Sequence, residues 1–167
     1  MGNRFYTGVG SRSTPIEVCA LMSLTASILE GFGFILRSGG AEGADIAFER
    51  GARDSRNKEI FYAGDSTTQA EKIAEKIHPN WAACTPLARK LHGRNVFQVL
   101  GKDLISPSEF LICWTKDAEK VGGTRTAIVL AESYRIPVFN LGDPNRLASL
   151  DEFLFSLKGN TCTTKSG

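Results

Sequence analysis

The 167-residue sequence predicts an α/β fold, a doubly wound and mostly parallel sheet with helices on both faces. Three short apolar runs, Phe5 to Thr7, Phe34 to Leu36 and Phe110 to Trp114, read as strands. Each is followed by a polar glycine-rich turn, GVGSRSTP, SGGAEGAD and VGGTRTA in that order, and each turn opens a stretch with helical periodicity. In a parallel sheet all three turns emerge at one carboxyl edge, where backbone N–H groups and helix N-termini can jointly hold an anionic ligand.

The elements follow in order. Arg4 to Val9 is short, aromatic and β-branched, and reads as the first strand. Thr14 and Pro15 read as an N-cap with proline at the first helical position. The helix runs to about Glu30, with Ile16, Cys19, Ala20, Ser23, Leu24, Ser27 and Ile28 as its inner stripe, widened by Leu21, Met22 and Leu29. Gly31 and Gly33 end it. Phe34 to Arg37 is the second strand, and Ala41 to Arg53 a second helix with Ala44, Ala47, Phe48 and Ala52 facing inward. Glu59 to Ala63 closes a βαβαβ half with right-handed crossovers.

Ala70, Ile73, Ala74 and Ile77 give a helix over Thr67 to Ile77, after which Pro79, Trp81 and Pro86 mark an insertion between sheet halves. A further helix covers Pro86 to Leu100, with Gly93 as a candidate break. Phe110 to Thr115 is a continuous apolar strand of the buried parallel type. Gly122 to Tyr134 is a helix with its glycine turn, Ile136 to Leu141 the last strand, and Leu150 to Leu157 a closing helix. A single domain is expected over residues 1–158, with 159–167 a polar, frayed tail.

Twenty basic and eighteen acidic residues leave a net charge of +2, without the broad positive field that non-specific nucleic-acid binding usually requires. Cys19, Cys84, Cys113 and Cys162 form no CxxC pair, so neither a zinc site nor a disulfide framework is suggested, and structural thiols in a reducing compartment are expected. No apolar run approaches the length of a membrane span and the N-terminus enters a strand at once, so no membrane partner is expected and a cytoplasmic location is.

The ordered set GVGSRSTP, LRSGGAEGADIAFERGA and GGTRTAIVLAESYRIPVFNL, within residues 4–141, resembles the Rossmann-like SLOG superfamily. That superfamily includes the DNA-processing protein A (DprA/Smf) family and the Lonely Guy (LOG) nucleotide hydrolases. The chain is most similar to the short, single-domain DprA-like proteins often carried by bacteriophages, in which stretches like His78 to Trp81 and Leu91 to Leu104 also occur. The resemblance implies a Rossmann-like sheet binding nucleotides or nucleotide-derived signals at its carboxyl edge. Its members are base–ribose hydrolases, sensors of signalling nucleotides, or DNA-binding recombination mediators, and fold alone does not choose among them.

Gly8, Gly10, Ser11 and Arg12 form the first candidate cradle, with Ser13 where a dinucleotide fingerprint has its third glycine. Ser38, Gly39, Gly40 and Gly43 form the second, followed by Asp45, which either caps its helix or accepts hydrogen bonds from a ribose or base. Glu49, one turn later, can assist or stand in solvent. Gly122, Gly123, Thr124 and Arg125 make the third cradle, with Thr126 beside them. LOG hydrolases resemble PGGxGTxxE here, whereas this chain has Val121 for proline, Arg125 for glycine, and Ala127, Ile128 and Val129 where the acidic residue is expected. Glu132 lies about two helical turns further on. The departure argues for binding and against LOG-type hydrolysis.

Arg94 and Gln98, at i and i+4, can present a guanidinium fork and an amide on one helical face, with Asn95 beside them. Trp114 can stack a base or pack in the core. His78 and His92 are too isolated in sequence to suggest metal ligands. The expectation is therefore a non-catalytic protein, without metal or cofactor, that binds a small nucleotide-derived ligand. Arg12, Arg94 and Arg125 supply the charge. With the phage-type resemblance, its use would be sequestration of a host immune signal such as a cyclic nucleotide or ADP-ribose derivative, an anti-defence role in the host cytoplasm.

Two alternatives accompany it. One is a DprA-like mediator binding single-stranded DNA, with Lys72, Lys76, Arg89, Lys90 and Arg94 as a local basic patch. The other is a LOG-like nucleoside-monophosphate phosphoribohydrolase in which Asp45 or Glu49 replaces the missing carboxylate. Related folds commonly self-associate, so a homodimer or larger closed assembly is expected.

Overall fold

The computed structural model describes residues 2–160. In chain order its principal elements are β1 (Arg4–Gly8), α1 (Ile16–Gly31), β2 (Phe34–Ser38), α2 (Ala44–Gly51), β3 (Lys58–Ile60), α3 (Thr68–Ile77), α4 (Pro86–Leu100), β4 (Phe110–Cys113), α5 (Thr124–Ser133), β5 (Val138–Asn140) and α6 (Pro144–Asn160). Every strand pairing is parallel, in the order β3-β2-β1-β4-β5. Tyr6 of β1 stands beside Leu36 of β2 on one side and Phe110 of β4 on the other. Strand order reverses between β1 and β4, which makes the crevice at their carboxyl ends the topological switch point where such sheets bind ligands.

Alternation along each strand divides its side chains between two faces. Tyr6, Phe34, Leu36, Phe110 and Ile112 point to one, against Met22, Ala26 and Leu29 of α1, Phe48 of α2, and Leu150 and Leu157 of α6. Leu111 and Cys113 point to the other, where Val96, Phe97 and Leu100 of α4 pack with Ala127, Ile128 and Ala131 of α5. Ala70 and Ala74 join α3 to this second core through α4. The sheet is thus doubly wound, with helices on both faces.

Several local expectations are corrected. Helix α1 turns its Val18, Met22, Thr25, Ala26 and Leu29 face inward and leaves Ile16 and Leu24 exposed, at 78% and 59%, because the sheet receives a stripe offset from the one expected. Thr14 does not cap α1: its hydroxyl donates to the Ser11 carbonyl at 2.6 Å, and Pro15 occupies the cap position. Helix α2 begins only at Ala44 because Gly40 and Gly43 take positive φ, 65° and 82°, which no helix accommodates.

Gly93 does not break α4. It is buried within the helix, and a Cβ there would collide with the Ser66 hydroxyl. The closing helix is longer than expected and includes Gly159, while the rest of the expected tail, residues 161–167, lies outside the described residues.

Gly51 at the end of α2 shows how closely the helices pack. A Cβ there would strike the Ser23 carbonyl oxygen of α1, and that oxygen belongs to a rigid turn of helix. Gly51→Ala is expected to lower unfolding free energy by about 1–3 kcal/mol, the usual cost of overpacking. Urea denaturation should show this as a lower midpoint at unchanged slope.

Candidate functional site

The three glycine turns open on one cleft at the carboxyl edge of β1, β2 and β4, and Ser11 joins the first turn to the second and to the end of β4. Its N–H donates to the Trp114 carbonyl at 3.0 Å, and its carbonyl accepts from Ala44 N–H at 3.4 Å. The junction requires missing side chains. A Cβ on Gly10 would lie 2.7 Å from Ala44 Cβ and 3.0 Å from the Trp114 carbonyl, and one on Gly43 would lie 2.6 Å from the Ser11 carbonyl.

Beyond this junction opens a cleft of about 810 Å³. Gly10, Ser11 and Arg12 line it from the first turn, Ala41 and Asp45 from the second, and Gly122, Gly123, Thr124 and Arg125 from the third. Helix α4 supplies a further wall through His92, Arg94, Asn95 and Gln98.

Arg94 is the central cation of the cleft, its side chain only 12% exposed. Its Nη1 donates to the Gly39 carbonyl at 2.8 Å and lies 3.9 Å from Asp45 Oδ2, while its buried Nε has no partner among the described residues. With its amide assigned so that the oxygen faces Gly39, the orientation that satisfies the neighbouring donors, Gln98 accepts from Gly39 N–H at 3.0 Å and from Arg94 Nη1 at 3.2 Å. Asn95 Nδ2 donates to the Gly123 carbonyl at 2.9 Å, fixing the third turn to α4. Arg125 Nη1 donates to the Ile77 carbonyl at 2.9 Å, which anchors it to the end of α3 while it lines the cleft.

Asp45 is buried, and it does not serve as the side-chain cap of α2. Burial pushes its carboxyl up to about 6, against the opposing pull of Arg94 and of the Ala41, Gly39 and Gly10 N–H groups. Burial likewise lowers Arg94 from its ordinary value, with Asp45 opposing and Arg12 reinforcing the shift.

The sequence-predicted residues divide by position. Gly10, Ser11, Arg12, Asp45, Arg94, Asn95, Gln98, Gly122, Gly123, Thr124 and Arg125 come together on the cleft. Gly8 and Ser38 stand apart from its lining: Gly8 packs against Phe48 and Leu36, and the buried Ser38 hydroxyl donates to the Gly8 carbonyl at 2.6 Å, tying β2 to β1. Gly39 lies behind Arg94, while Gly40 and Gly43 shape the second turn. The Trp114 ring packs against the first core, and its contribution at the junction is its carbonyl. Glu49 also lies off the lining.

Lys116, His78 and His92 line the cleft although sequence reading did not place them there. Lys116 follows β4 closely enough for the strand-end rule to have found it. The histidines are joined only by the fold: their ring centroids are 4.5 Å apart, with Trp81 beside both. Burial is the main force holding His92 below its ordinary pKa, with His78, Arg125 and Arg94 adding to it.

No family model and no curated protein matches the chain. Among solved structures it is similar to DNA processing protein A from Helicobacter pylori, described for its single-stranded DNA binding mode, with a TM-score of 0.61 and 19% sequence identity. The match covers 94% of this chain and 81% of that one. The fold is therefore a DprA-like Rossmann fold, built on five parallel strands. No helix among the described residues is long and apolar enough to cross a membrane.

Asp45 makes stability depend on pH. Its carboxyl titrates at about 6 in the folded protein against 3.8 ordinarily, so between these values the folded state binds more protons than the unfolded one. Stability contributed at Asp45 therefore falls as pH rises through that window, by on the order of 2–3 kcal/mol. Asp45→Asn abolishes the titration. Urea unfolding at pH 4 and pH 7 should show the wild type losing more stability than the variant on going to the higher pH, and equal losses would refute the assignment.

Proposed function

We propose that the cleft binds a nucleotide unit through its phosphate and ribose without cleaving it. The carrying observation is the convergence of Arg12, Arg94 and Arg125 with the three turns on one cleft of about 810 Å³. Arg94, desolvated beside Asp45, supports a charge-assisted contact to a phosphate oxygen, and the N-terminal turn of α5 favours negative charge at the same place. Asp45 is suited to accept from a ribose hydroxyl. Ala127, at the wall where a LOG-type carboxylate would be useful, offers no acid, and Asp45 is the sole carboxylate among the described lining residues. These features favour holding over hydrolysis.

The nucleotide unit can belong to a single-stranded DNA or to a free ligand. The likeness to the Helicobacter pylori protein favours DNA, and exposed Lys72, Lys76 and Lys90 on α3 and α4 offer contacts to further phosphates. Capture of a free signalling nucleotide is the narrower reading, supported by the concave shape of the cleft.

Fluorescence titrations with an oligothymidylate and with a panel of adenine mononucleotides and cyclic nucleotides, at two salt concentrations, separate the readings. A DNA mediator should bind the oligomer with affinity falling steeply in salt, by a log–log slope of about −0.7 per phosphate contacted. A capture protein should bind one member of the panel at one equivalent, recover it unchanged, and show a shallow salt response. In either case Arg94→Ala should weaken binding about tenfold or more, and the exposed Arg12→Ala less. Release of free base would overturn the non-catalytic reading, and binding to neither class would overturn the proposal.

A further inference from the structure

The chain from the end of α3 into α4 carries three metal-ligating side chains with the spacing His-x5-Cys-x7-His: His78, Cys84 and His92. Folding brings one ligand atom from each within 4.8 Å of the others. Cys84 Sγ lies 3.8 Å from His78 Nδ1 and 3.7 Å from its Nε2. In a tetrahedral zinc site, nitrogen and sulfur ligands lie roughly 3.3–3.6 Å from one another. Side-chain adjustments of about an ångström would therefore close the set.

The surroundings support ligation. His92 Nδ1 is 2.7 Å from Thr126 Oγ1, which leaves Nε2 as its coordinating atom. All three side chains are half-buried, so an ion would be only partly stripped of water before it meets them.

We infer that His78, Cys84 and His92 form a binding site for a borderline-soft divalent ion such as Zn²⁺, with a fourth position turned to the cleft. On binding, the Cys84 thiol gives its proton to solvent and His78 Nδ1 exchanges the hydrogen bond it accepts from Asn80 N–H for the metal. One thiolate and two neutral imidazoles leave the ion a net positive charge. Because His78 and His92 line the cleft, the fourth ligand is water or an anionic oxygen entering from there. The metal site itself stands independently of the nucleotide proposed above.

The test uses the full chain, stripped with a chelator and titrated with Co²⁺ and then Zn²⁺. The expected result is one equivalent of Co²⁺ with a thiolate-to-cobalt charge-transfer band and intense tetrahedral visible bands, both displaced by Zn²⁺. Cys84→Ser and His92→Gln should each lose the charge-transfer band while retaining the wild-type circular dichroism spectrum. Removing thiols outside the site, in Cys19→Ser and Cys162→Ser variants, should leave it intact, which ties the band to Cys84, since Cys113 is buried in the second core. Thr126→Val removes the group positioning His92 and should weaken metal affinity about tenfold or more while the cobalt spectrum keeps its form at saturation. Absence of stoichiometric uptake, or a band that survives Cys84→Ser, overturns the assignment and leaves the cluster as aromatic packing with Trp81.

Discussion

The junction at Ser11 is the constraint on which the site depends. Its backbone is bonded to the carbonyl after β4 and to the first residue of α2, so the turns of three strands are held as one unit. Parallel pairing delivers the turns to the same edge, but only the missing side chains at Gly10 and Gly43 let them touch. The glycines that resemble a phosphate cradle in sequence therefore do two different kinds of work. Gly10 lets backbone approach backbone and also lines the cleft, whereas Gly8 and Gly43 are demanded by packing and turn geometry.

Behind the junction, Asp45 and Arg94 place opposite charges in a poorly solvated floor. Neither is stabilised by the other alone at a separation of 3.9 Å. The guanidinium is instead held by the Gly39 carbonyl and by Gln98, and the carboxylate is approached by Ala41 N–H at 3.4 Å. Removing one partner from such an arrangement leaves the other charge buried, which costs more than the pair contributes. The floor is thus held by hydrogen bonds but electrically costly, a combination that contributes little to folding and is consistent with the proposed contact to a charged, hydroxyl-bearing ligand.

Much of this was legible in the sequence, for identifiable reasons. Glycine turns after apolar strands point to the parallel sheet and to the edge at which the cleft opens, and helix α4 matches its expected span from Pro86 to Leu100 because Thr85 caps it and Gly101 stops it. The inner face of α1 is not legible from hydropathy alone, because Ile16 and Leu24 are apolar yet exposed. Trp114 and Ser38 have side-chain types suited to ligand contact, but the fold lays the half-buried ring against the first core and turns the hydroxyl toward a neighbouring carbonyl. The grouping of His78, Cys84 and His92 depends on how a loop with little periodicity folds back onto α4, which neither local pattern nor strand-end logic supplies.

Charge shows the same limit of averages. The chain carries +2, and from that number alone nucleic acid is a poor partner. Yet Arg12, Arg94, Lys116 and Arg125 line a cleft whose described lining contains Asp45 as its single carboxylate. The cleft is therefore more positive than the whole chain, and the remaining surface is close to balanced. Low-dielectric walls strengthen this local field, while away from the cleft it is screened within roughly 8–10 Å at physiological salt. Under the proposed reading, such a distribution suits one or two phosphates and offers little to a long polymer beyond them. A bound DNA strand would thus be gripped at one nucleotide and followed loosely along α3 and α4, whereas a free nucleotide would already engage the strongest part of the field.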